Sequence, residues 1–89
     1  MIEPDCRVVI FDLETTGVDT QNDRIIQFGA LIYDSCGSVT EVDIMINPGV
    51  PIPESSTKVH GKTDADVAMC PPFSSVAEQI LAVFEGADI

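Results

Sequence analysis

Residues 7–17 read R-V-V-I-F-D-L-E-T-T-G. An apolar run from Val8 to Phe11 meets Asp12, then Leu13, then a second carboxylate at Glu14. The run is rich in β-branched and aromatic types and too short for a stable helix, so it reads as a buried strand over 7–13. Residues two apart in a strand point the same way, which sends Asp12 and Glu14 to one face and Phe11 and Leu13 to the other. Two charges side by side at the end of a buried strand are costly unless a cation compensates them. Hard divalent ions prefer carboxylate oxygens, so D-x-E at a strand end makes half of a Mg²⁺ or Mn²⁺ site. A bare D-x-E recurs by chance and more often marks where a strand meets solvent, so its weight depends on what surrounds it.

Outward from that stretch, T-T-G-V-D-T-Q-N-D is a loop, and R-I-I-Q-F-G-A-L-I-Y-D (24–34) is again strand-like. Gly29 within it predicts a bulge or a close backbone contact. D-S-C-G-S (34–38) is a turn in which Gly37 supplies a positive φ. V-T-E-V-D-I-M-I (39–46) then alternates, with Val42, Ile44 and Ile46 on one face and Glu41 and Asp43 on the other. Three strands on short links predict an antiparallel meander.

Three prolines between Pro48 and Pro53 exclude regular structure there. Residues 54–69 predict one or two short helical turns, with Thr63 as the N-cap before D-A-D-V. Phe73, Val76, Ala77, Ile80, Leu81 and Phe84 form one face of a helix over 72–85, opened by Pro71-Pro72 and closed by Gly86. Three strands and one helix leave a sheet face uncovered, so the chain reads as lacking partner elements.

Composition narrows the classes. Eighty-nine residues make one small domain or part of a larger one, and the hydrophobic share of 45% argues against disorder. No apolar run is long enough to cross a bilayer, and M-I-E-P-D-C-R lacks the features of a signal peptide. The expectation is a soluble, intracellular protein, cytoplasmic or nuclear. Cys6, Cys36 and Cys70 are widely spaced and odd in number, which suits reduced thiols. With His60 they lack the close cysteine pairs that zinc sites use. Fifteen acidic residues against four basic ones give a net charge of −11. Phosphate contacts normally need a basic footprint, so the charge suits divalent cations or a basic protein partner better than a nucleic acid.

The longer string changes that balance. F-D-L-E-T-T-G (11–17), followed by I-I-Q-F-G-A-L (25–31), resembles the first motif of the DEDD-type 3′–5′ exonucleases, the DnaQ-like and ribonuclease T superfamily. The resemblance runs on through I-N-P-G-V-P-I-P (46–53), V-H-G-K-T-D-A-D-V (59–67) and P-P-F (71–73), and so spans nearly the whole chain. It implies an α/β, RNase H-like exonuclease fold, with 1–89 a partial domain truncated to a three-stranded antiparallel meander plus a C-terminal helix. It further implies that Asp12 and Glu14 are catalytic carboxylates and ligands of a two-metal Mg²⁺ or Mn²⁺ site. Thr15, Thr16 and His60 would bind the substrate, the 3′ end of single-stranded DNA or RNA.

The sequence departs from that family at three points. The chain ends at Asp88-Ile89, where a second motif would start. Neither H-x₄-D nor Y-x₃-D occurs, so half of the metal ligands and the general base are missing from it. Gln27 stands where many relatives have glutamate. The expectation is therefore a 3′–5′ exonuclease-family domain that is weakly active or inactive alone, partnered by a missing C-terminal half or a larger polymerase or repair assembly. The alternative is a non-catalytic acidic module on the same scaffold.

Overall fold

The computed structural model describes residues 7–19 and 21–85. Three strands, β1 (Val8–Thr15), β2 (Ile25–Tyr33) and β3 (Val39–Met45), precede three helices, α1 (Glu54–His60), α2 (Asp64–Val67) and α3 (Phe73–Phe84). The sheet order is β1-β2-β3, antiparallel throughout. The meander forms because β2 is the one strand apolar enough to be covered from both edges. Its Ile26, Phe28, Ala30 and Ile32 are buried, while both flanking strands are half open.

Register assigns the faces. Phe11 pairs with Ala30 and Leu13 with Phe28; across β2, Ala30 pairs with Val42 and Phe28 with Ile44. These residues share the face that α3 covers, where Phe28, Ala30, Ile32 and Val83 form a core edged by Val9, Val42, Ile44, Ile80 and Phe84. Phe84 packs edge-on to Phe11 and Phe28, with ring centres 5.0 and 5.8 Å apart, a geometry that the ring quadrupoles favour. The opposite face carries Ile10, Asp12, Glu14, Gln27, Gly29, Leu31, Glu41 and Asp43. No described helix covers it. Ile10 there is 57% exposed.

Two expectations need correction. Gly29 pairs regularly with Asp12 and Asp43, and a Cβ built on it would meet nothing within 4 Å. The irregularity lies instead between Glu14 and Thr15, where Thr15 pairs with Ile25 and Ile26 is the extra residue. Ile26 is wholly buried against Ile52 and Val67, and that burial draws the extra residue inward. The second correction concerns α3. Its buried side is Val76 and Val83 with Ile80 and Phe84 beside them, whereas Leu81 is 72% exposed and Phe73 45%. The expected closing glycine, Gly86, lies outside the described residues.

The links follow local chemistry. Asp34 Oδ1 accepts from the amides of Cys36 and Ser38, and Gly37 takes φ 85° to close the hairpin. Thr63 and Asp66 form a reciprocal capping box on α2. The Thr63 amide donates to Asp66 and, with the Thr63 hydroxyl, holds that carboxyl below its ordinary range. Pro72 opens α3 without a side-chain cap. No helix among the described residues is long and apolar enough to cross a membrane.

Candidate active-site cleft

The end of β1 and the loop after it form one wall of a cleft of about 330 Å³, and α1 forms the other. Leu13, Glu14, Thr15, Gly17 and Val18 line the first wall; Ser55, Ser56, Val59 and His60 line the second. Strict alternation along β1 would bury one of each neighbouring pair. The cleft sits at the strand's end, where Leu13, Glu14 and Thr15 all reach it, and the register irregularity falls between Glu14 and Thr15.

Asp12 lies one step back on the same face, exposed and opposite Gly29. It lines a shallow trough across the uncovered sheet, together with Gln27, Gly29, Glu41 and Asp43. Neighbours two apart in a strand stand about 6.6 Å apart along it, close enough for Asp12 and Glu14 to act on one substrate group. Among the described residues neither carboxylate has a hydrogen-bond or ion-pair partner. By contrast Gln27, the cross-strand neighbour of Glu14, donates through Nε2 to Asp43 at 2.7 Å. Two hard oxygen donors on one face fit a divalent cation as part of a ligand set. Among the described residues no third His, Cys, Asp or Glu joins them in a three-ligand group.

His60 occupies the last position of α1, which Gly61 closes at φ 78° with its amide donating to Thr57 O. The His60 Nδ1 accepts from the Lys62 amide at 3.0 Å. A neutral ring that accepts at Nδ1 carries its proton on Nε2. That Nε2 is buried and has no partner among the described residues, so an unmet donor belongs to a ring that lines the same cleft as Glu14.

Thr15 turns its hydroxyl onto Gly17 O at 2.5 Å. Thr16 does not line the cleft. It is 3% exposed, its Oγ1 donates to Asp23 Oδ1 at 2.8 Å, and the same oxygen accepts from the Arg24 amide at 2.9 Å. The Thr16 side chain is thus committed to the loop after β1. The sequence reading also missed Ser55, Ser56, Val59 and Val18 as lining residues. Their only sequence signal is ordinary loop and helix composition, and the contacts that matter join distant segments.

The fold is that of the RNase H-like exonucleases. Over 89% of its length the chain matches E. coli exonuclease I, solved in complex with a dA16 oligonucleotide, with a TM-score of 0.76 at 21% identity and over 18% of that chain. The exonuclease family model RNase_T matches residues 9–89, and the chain belongs to that family. A DNA polymerase III subunit epsilon-like protein of Rhodobacter capsulatus is 44% identical over 82 residues, covering 89% of this chain and 12% of the relative. The DNA polymerase III subunit epsilon of Treponema pallidum is 32% identical over 76 residues, covering 85% of this chain and 35% of the relative. The chain thus spans 35% or less of the length of these relatives.

Proposed function

We propose that this chain is the part of a 3′–5′ exonuclease that grips the end of a single-stranded DNA or RNA and holds the catalytic metal from one side. The observation that carries the reading is a pair of carboxylates without a partner among the described residues, Asp12 and Glu14, the second lining a cleft with Thr15 and His60. Asp12 and Glu14 would hold Mg²⁺ or Mn²⁺; when bound, such an ion activates water and neutralises charge at the scissile phosphate. Leu13, Val18 and Val59 give the cleft apolar walls suited to a terminal base or sugar. The His60 ring and the Thr15 backbone border the space where the terminal nucleotide would lie.

Two carboxylates are half of the set that a two-metal nuclease uses, and the sequence carries no H-x₄-D or Y-x₃-D general base. Alone, the chain is therefore weakly active or inactive, and it works inside the cell within a longer protein or a polymerase or repair assembly. The test is calorimetric titration of Mn²⁺ alongside digestion of a 3′-labelled oligonucleotide. Mn²⁺ binding should weaken at least tenfold in Glu14→Ala, since one of two charged ligands is lost. Any cleavage should vanish in Asp12→Ala. Vigorous cleavage that survives Asp12→Ala would overturn the reading.

A further inference from the structure

Helix α1 supplies half of the cleft yet has no buried residue of its own. Apolar packing therefore does not seat it directly. Ile52 before it and Val67 beyond it are buried against Ile26, which anchors the flanking segments and leaves the helix between them. In the middle of α1, the Ser56 hydroxyl donates to the carbonyl oxygen of Thr16, at 2.5 Å and 40 residues away in the chain. That bond joins the two walls.

Thr16 is itself pinned on its other side. Its amide donates to Arg24 O at 2.9 Å, and its hydroxyl donates to Asp23. The second oxygen of Asp23 accepts from the Asp19 amide at 2.8 Å. The carboxylate lies so close to Gly17 that a Cβ there would stand 2.4 Å from Oδ2. Asp23, Thr16 and Ser56 thus form a continuous chain of hydrogen bonds from the loop after β1 to α1.

We propose that Asp23, Thr16 and Ser56 are positioning residues that set the width of the cleft by clamping α1, and with it His60, against the strand end that carries Glu14 and Thr15. None of the three needs to touch substrate. Asp23 fixes the turn at Thr16, the Thr16 carbonyl faces α1, and Ser56 closes the link. Asp23 and Ser56 are thereby placed in the service of the site through geometry alone. The proposal rests on the exonuclease reading for its purpose, while the clamp is testable without it.

The experiment compares wild type, Ser56→Ala and Ser56→Thr. Hydrogen exchange of the α1 amides is read without ligand, and tetrathymidylate affinity is read by NMR titration in Ca²⁺. Removing one hydrogen bond should speed exchange across Thr57–Gly61 by about fivefold, weaken tetrathymidylate binding by a similar factor, and leave the β2 core amides unchanged. Ser56→Thr keeps the hydroxyl and should restore both. Asp23→Ala should reproduce the Ser56→Ala pattern from the other end of the chain. Wild-type exchange and affinity in Ser56→Ala would overturn the clamp, as would a loss that Ser56→Thr fails to rescue. If wild type itself ignores tetrathymidylate, the proposed grip on a nucleic-acid end falls, and the exchange comparison still decides the clamp.

Discussion

At position 17 any side chain collides with Asp23, because a Cβ would stand 2.4 Å from one carboxylate oxygen and 3.0 Å from the other. The φ there is ordinary, so the requirement is for space and not for backbone freedom. Gly17→Ala must push Asp23 away and break its bond with the buried Thr16 hydroxyl. We expect a loss of about 1–3 kcal/mol in urea denaturation from overpacking and the stranded polar group, and wild-type stability would show that Asp23 yields freely. The two kinds of proposed residue differ in how they announce themselves in the sequence. Asp12 and Glu14 are legible because a strand has a period of two and the motif around them is specific. Asp23 and Ser56 are not, since they meet Thr16 from 7 and 40 residues away. Nothing in their local composition separates them from any other loop aspartate or helix serine.

At the scale of elements, the strands and helices follow from periodicity, and what the period leaves open is phase. The apolar residues of α3 cover more than one face, so the sheet has a choice of stripes. It takes Val76, Ile80, Val83 and Phe84, a face turned by roughly 45° from the one expected, at about 100° per residue. Phe84 decides the matter by meeting Phe11 and Phe28 together, which swings Leu81 outward. Val83→Ala should therefore cost about 1–3 kcal/mol. Leu81→Lys should stay within about 0.5 kcal/mol of wild type. Thermal denaturation of the two variants separates the phases, and the reverse order would restore the original stripe. The place of the strand irregularity escapes the sequence for a related reason. Gly29 is a generic signal for a bulge, but the actual one is fixed by where Ile26 finds Ile52 and Val67.

Taken whole, the molecule measures 44 × 24 × 23 Å and carries a formal charge of −11. Most of that charge lies on surface carboxylates, and two of them are held below the ordinary carboxylate range by their hydrogen bonds. The Asn22 side chain and the Gln21 amide hold Asp19 below its ordinary range, and Thr63 does the same for Asp66. Lowered folded values mean that both groups stabilise the fold fully above about pH 4 and lose that contribution as the pH falls through them. Urea midpoints between about pH 6 and pH 2.5 should fall on the acid side of pH 4, and fall less in Asp66→Ala, which starts lower. An equal acid loss in both chains would remove Asp66 from the account.

The uncovered sheet has one further consequence, and it comes from Gly29. Neither torsion nor packing demands a glycine there, since its φ is not positive and a methyl would touch nothing. Its neighbours across the sheet are Asp12 and Asp43, whose strands stand about 10 Å apart. Between two acidic banks the bed of the channel is bare peptide. Whatever settles over β2 can therefore descend to the main chain itself, meeting amide planes and water where any other residue would raise a sill.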